Sequence, residues 1–239
     1  MPLKDIYGIC KKLHFKYKTI AMREQLKCLI IFLLPVLFCG CTSQTSKKVG
    51  EVKSNTDTVY KDIPSWYQRE NVHKYNLELD STLDLRSIEG GVEDLQLRIW
   101  VDQGAGRYDT SKLFIFTITE DSSVTGKLYT YILSYDSLWN PSGTAYKTIK
   151  VLTPSSGWNL FLDSLKRMEI YDLPHYQKLN GYYVSSDTYG VTVEIAAKNR
   201  YRIYHYPNYS DYKDKIDAAG KMYKIMQLLE QEFNVKAIY

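Results

Sequence analysis

The chain has 239 residues, 44% of them hydrophobic, with 31 Lys/Arg against 27 Asp/Glu and a formal net charge of +4. Residues 1–40 hold seven of those Lys/Arg and two of those Asp/Glu, leaving 24 and 25, a net charge of −1, from Cys41 onward. The basic excess belongs to the N-terminal stretch, so it gives no argument for nucleic acid, and none is expected as a partner.

An apolar run of eleven residues, Cys28–Phe38, follows Arg23 and Lys27. A bilayer-spanning helix needs about 20 such residues. A basic start, an apolar core of about 7–15 residues and small residues behind it make a secretory signal. The polar residues Thr42, Ser43, Thr45, Ser46, Lys47 and Lys48 then follow without a helical apolar stripe, which argues against a buried core helix. Residues 1–40 are therefore expected to be a signal peptide. Two starts stay open: Met1 with a long basic prefix, or Met22 directly before the charged residues.

Leu37-Phe38-Cys39-Gly40-Cys41 resembles a bacterial lipobox. The resemblance implies that Cys41 is acylated and becomes the new N-terminus, with the lipid bilayer as its partner. Each buried methylene is worth about 0.8 kcal/mol, so more than one acyl chain anchors stably. No acidic run follows Cys41. In such lipoproteins that implies a cell-envelope address on the outer membrane, facing the periplasm.

All four cysteines, Cys10, Cys28, Cys39 and Cys41, lie in or beside the leader. The chain from Thr42 to Tyr239 thus has no disulfide, no thiol nucleophile and no cysteine metal site. Residues 41–60, polar and poor in large apolar side chains, read as the lipidated cysteine and a flexible tether. Residues 61–239 suit a single globular domain.

Along that domain, DLQLRIWV alternates, with Leu95, Leu97, Ile99 and Val101 on one face and Gln96, Arg98 and Trp100 on the other. KLFIFTIT, KLYTYILSY and AYKTIKVL follow, separated by turn residues, which predicts an antiparallel meander. Ser155 and Ser156 are candidate caps for a helix carrying Trp158, Phe161, Leu162, Leu165 and Met168, with Pro174 ending it. VTVEIAAKNRYRIYHYP predicts a hairpin turning near Lys198-Asn199. A last helix over residues 210–233 carries Ile216, Ala219, Tyr223, Met226, Leu229 and Phe233 on one stripe. The expected fold class is α+β: β-meander, helix, β-hairpin, and a C-terminal helix packed on one sheet face. With IEGGVEDLQLRIW and VEIAAKNRYRIYHYPN, this order resembles a family of envelope lipoproteins of Gram-negative bacteria over most of residues 75–235. The resemblance implies an address and no activity.

Site chemistry is sparse. His73, His175 and His205 are far apart, without HxxxH or HExxH spacing, so neither a metal nor a cofactor is expected. DQGAGRYD holds Gly104, Gly106 and Arg107, but a strand follows where a phosphate loop needs a helix. There is no GxSxG elbow. Glu93 and Asp94 are adjacent at a strand edge, where neighbours point to opposite faces.

Tyrosine is the oddity, with 22 residues, several of them in RYRIYHYPNYSDY. Period-two reading puts Arg200, Arg202, Tyr204 and Tyr206 on one strand face. A hairpin loop with an odd residue count would add Glu194 to that face, either as a cross-strand ion pair with Arg202 or as part of a binding surface. With Arg98 and Trp100, the expected binding face is Arg98, Trp100, Glu194, Arg202, Tyr204 and Tyr206, open to a protein or glycan partner. The reading is a non-enzymatic, membrane-anchored binding domain, for instance an inhibitor or an envelope-assembly accessory. The alternative is an envelope-acting hydrolase.

Overall fold

The computed structural model describes residues 58–65, 72–102, 110–137, 141–184 and 189–236, all within one unit, Asn55–Tyr239. The signal peptide, Cys41, most of the tether and the Gly104–Gly106 loop lie outside the described residues.

In chain order the elements are strand β1 (Tyr60–Asp62), helix α1 (Val72–Thr82), and strands β2 (Leu95–Asp102), β3 (Ser111–Ile118), β4 (Val124–Tyr135) and β5 (Pro141–Leu152). Helix α2 (Trp158–Arg167), strands β6 (Gly190–Ala197) and β7 (Arg200–Pro207), and helices α3 (Tyr209–Tyr212) and α4 (Asp217–Phe233) complete the domain. The fold is α+β. Among the described residues seven strands form one sheet, ordered β1-β7-β6-β2-β3-β4-β5. The β2–β5 meander and the β6–β7 hairpin form as expected, and β6 pairs antiparallel with β2. Two elements were not anticipated. Tyr60 belongs to β1, which pairs parallel with β7, and α1 precedes the meander.

One face of the sheet carries Leu97, Ile99, Val101, Phe114, Phe116, Leu128, Val191, Val193 and Ile195 under α2 and α4. The stripe Ala219, Met222, Met226, Leu229 and Phe233 faces it, at the three- and four-residue spacing of an amphipathic helix. Phe161 centres an aromatic cluster, 5.2 Å from Phe116 and 5.1 Å from Phe233. Gly126 is required beneath it, because a Cβ there would lie 2.6 Å from Trp158 Cη2. Tyr223 is only half-buried, and the last helix is two: α3 and α4, separated at residues 213–216.

The caps of α2 differ from expectation. Gly157, at φ 85°, is the N-cap; Ser155 Oγ and Ser156 N instead donate to Glu232 Oε2 at 3.0 and 2.8 Å, holding the end of α4. Helix α2 stops at Arg167, ahead of Pro174, and Glu169 takes the left-handed conformation just beyond it.

The second sheet face is covered as well. Leu79 and Leu83 of the α1 segment pack on Trp100, Leu113, Ile115, Tyr129 and Tyr131. Ile88 packs on Ala196, Tyr201 and Ile203, with Val59 and Ile63 beside them. No helix among the described residues is long and apolar enough to cross a membrane.

Phe161→Ala, in the fully buried cluster, is expected to lower unfolding free energy by about 3–5 kcal/mol. Val151→Ala, at an exposed site, should change it by less than about 0.5 kcal/mol. Urea denaturation of both variants checks the contrast.

Candidate functional site

The hairpin between β6 and β7 decides where the expected binding residues go. Ala197 pairs with Arg200, so the loop is Lys198-Asn199, an even count. Glu194 therefore pairs with Ile203, while Arg202, Tyr204 and Tyr206 pair with Ile195, Val193 and Val191. The six residues do not share a face: Arg98, Trp100 and Glu194 lie on the α1 side, and Arg202, Tyr204 and Tyr206 on the α2/α4 side. Nor is either set open, since all six are buried, none more than 8% exposed. The Glu194–Arg202 ion pair does not form.

On the α2/α4 side the polar atoms serve the segment after α2. Tyr204 Oη donates to the Ile170 carbonyl and Tyr206 Oη to that of Pro174, both at 2.5 Å. Arg202 donates to the carbonyls of Tyr171 and Leu173 at 2.5 and 2.6 Å, and its Nε lies 3.0 Å from Asp62 Oδ2. Burial pushes both phenols well above their ordinary pKa.

On the α1 side the buried groups form a second network. Glu194 accepts from Trp100 Nε1 at 2.6 Å and from Tyr201 Oη at 2.7 Å. Arg98 donates to Asp80 Oδ1 at 2.6 Å, the Arg86 carbonyl at 2.6 Å and Gln96 Oε1 at 2.9 Å. Burial, aided by the Glu194 carboxylate, pushes the Asp80 carboxyl up to about 7 against the pull of Arg98.

Above this network a cleft of about 640 Å³ opens between residues 84–94 and the sheet. Its floor comes from three strands in register. One row is Gln96–Thr117–Thr125, the next Arg98–Ile115–Lys127, and Tyr129 stands in the row beyond. Arg86, Glu93, Asp94 and Lys198 are on its rim, where Lys198 pairs with Glu93 at 3.3 Å. Gly91, at φ 81°, lets the rim loop close on the hairpin: a Cβ there would sit 2.6 Å from the Lys198 carbonyl oxygen.

Of the expected site residues only Arg98 lines this cleft. Gln96, Thr117, Thr125, Lys127 and Tyr129 were missed, although KLFIFTIT carried a signal. Its core Leu113-Phe114-Ile115-Phe116 is apolar at four consecutive positions, as a strand buried on both faces must be. Leu79 and Leu83, four apart, likewise marked α1.

His175 and His205 are engaged inside the domain. His175 Nδ1 accepts from Gln177 N at 3.2 Å, and His205 Nδ1 lies 2.9 Å from Thr192 Oγ1; burial lowers their pKa values to about 3 and about 4. Among the described residues no three His, Cys, Asp or Glu side chains are grouped to hold a metal ion. Ser210 and Lys213 have the SxxK spacing of serine–lysine acyl transferases, which the sequence reading passed over. They do not work together: Ser210 Oγ bonds to Tyr189 Oη, and Lys213 Nζ lies over the Tyr223 ring. No protein family, curated protein or solved structure matches the chain.

Asp80 gives a stability signature of defined sign. Its folded-state pKa of about 7 exceeds the ordinary 3.8, so the folded chain holds a proton that the unfolded chain has released in between. That contribution is therefore lost as pH rises from about 4 to about 7, at no more than about 1.4 kcal/mol per pH unit. Urea unfolding of wild type and Asp80→Asn at pH 5 and 7.5 should show the variant gaining on wild type at the higher pH. A difference that stays the same at the two pH values would mean that Arg98 keeps Asp80 ionised.

Proposed function

We propose that this chain is an envelope lipoprotein, anchored through acylated Cys41 and facing the periplasm, whose domain binds a ligand without transforming it. The anchor rests on the lipobox-like Leu37–Cys41 stretch behind an apolar run too short to span a bilayer. The binding half rests on one observation: a concave cleft whose floor is a register-locked array of amide, hydroxyl and cationic side chains on three interior strands. Its volume falls within the usual range for ligand pockets, about 300–1,000 Å³. Rigid strands beneath it hold the recognition groups in place before a ligand arrives, which limits the entropy lost on binding.

Hydrolysis is the second reading, favoured by Asp80. A carboxyl raised to about 7, bonded to an arginine that lines a cleft, has the proton affinity of a general acid–base group. Binding is preferred because Asp80 itself is not part of the cleft lining and its Oδ1 is engaged by Arg98.

The test uses the full-length chain expressed in a Gram-negative host. Mass spectrometry of its N-terminal peptide should show Cys41 first and acylated; an unmodified Cys41 refutes the anchor. Low-molecular-mass envelope extract should raise the melting temperature of wild type, and not that of Thr117→Trp, which fills the cleft. A ligand recovered unchanged from the denatured complex supports binding, and one recovered as fragments supports the hydrolase.

A further inference from the structure

We infer that the cleft over β2–β4 accepts a small carbohydrate bearing a single carboxylate. Gln96, Thr117 and Thr125 would hydrogen-bond its hydroxyls, and Lys127 would meet its acid group. The inference names the ligand of the site proposed above and rests on that reading.

Hydrogen-bond polarity carries the argument. Arg98 Nε can only donate, so its 2.9 Å bond fixes the Gln96 amide with Oε1 toward the guanidinium. Gln96 Nε2 is thereby turned to Thr117 Oγ1, to which it donates at 3.2 Å. The Thr117 hydroxyl, already accepting, keeps its own hydrogen for a further partner. Gln96 Nε2 likewise has a second hydrogen. The chain Arg98→Gln96→Thr117 thus leaves donors at the cleft floor, beside the Thr125 hydroxyl and the Lys127 ammonium. A floor of donors selects a ligand rich in oxygen.

Arg98 adds little charge of its own to the ligand, because its three bonds run to Asp80, Gln96 and the Arg86 carbonyl. Lys127, exposed on β4, is the cation of the floor that can meet a ligand carboxylate. Around the rim Asp84 pairs with Lys147 and Glu93 with Lys198, and Asp94 and Arg86 are of opposite sign. The rim charges therefore offset one another, and Lys127 is left to match a single ligand carboxylate. A purely apolar ligand is disfavoured, because it would strip water from the Thr117 and Thr125 hydroxyls without replacing their bonds. Ile115, Val92 and the Tyr129 ring supply the apolar surface that the C–H face of a sugar ring covers. Backbone recognition of a peptide is closed off as well, for β2, β3 and β4 are each paired on both sides.

The experiment is calorimetric titration of the full-length protein in a sugar-free detergent. The probes are N-acetylmuramic acid and glucuronic acid, beside their neutral counterparts N-acetylglucosamine and glucose. The acids should bind at least tenfold more tightly than the neutral sugars. Lys127→Gln should erase that preference at an unchanged melting temperature, and Thr117→Val should weaken all the probes. Equal affinity for acid and neutral sugar, or acid binding indifferent to Lys127→Gln, overturns the carboxylate assignment. If no sugar binds while Thr117→Trp still abolishes the response to envelope extract, the carbohydrate assignment falls and the cleft stands. If Thr117→Trp leaves that response intact, both fall.

Discussion

Lys198 and Asn199 are the whole connection between β6 and β7, and the pairing of Ala197 with Arg200 fixes the parity of everything that follows. A one-residue change of register would send every side chain of β7 to the opposite face. With this parity Tyr201 and Ile203 meet the α1 side, where Tyr201 reaches Glu194, while Tyr204 and Tyr206 enter the core beneath α2 and α4. The turn is held from a second direction by Gly91, whose lack of a side chain lets the rim of the cleft press against it. Sheet register and cleft geometry therefore depend on the same few residues.

The abundance of tyrosine in β7 follows from what the strand must do. Residues 168–175 leave α2 without forming another helix or strand, so their carbonyls need partners inside the domain. Tyr204, Tyr206 and Arg202 combine an apolar or aliphatic stem with a donor at the tip. From one strand they reach the carbonyls of Ile170, Tyr171, Leu173 and Pro174. Each tyrosine bond contributes about 0.5–1.5 kcal/mol net and each arginine bond about 1.5–3 kcal/mol, and an unmet buried carbonyl carries its own desolvation cost. Phenylalanine at these positions would fill the same space and bond nothing. Arg98 does comparable work across the sheet, where it ties α1, the rim loop and the cleft floor together. Removing Asp80 or Glu194 outright would leave buried polar groups unmatched, the usual reason that such networks resist piecemeal change.

Much of this architecture was legible in the sequence. Alternation in Leu95–Val101 and Val191–Ile195 assigned one core face correctly, and the hairpin was placed near Lys198-Asn199, though without its even loop count. The binding face was misread because period two gives alternation and not side: which set meets the helices depends on loop parity. The assumption of a polar, open second face compounded the error. Trp100, Leu113, Ile115 and Tyr129 are buried like the first core, under a helical segment that sets a single pair of leucines, Leu79 and Leu83, against them. The two-sided burial of KLFIFTIT was the one hint of a covered second face, and the cleft itself was not legible. Its floor joins Gln96, Thr117 and Thr125 from three strands, and only pairing register brings them into one row.

The central claim is that the tyrosines of β7 are internal structural donors, so that recognition falls to the cleft on the other side. Nitration of the native full-length protein with tetranitromethane, followed by peptide mass spectrometry, tests it directly. Tyr60, Tyr146 and Tyr183, exposed at 65%, 49% and 76%, should react, while Tyr201, Tyr204 and Tyr206 stay unmodified until the chain is unfolded. Nitration of Tyr204 and Tyr206 at the rate of Tyr183 would mean that this face is open, and would return the binding surface to β7.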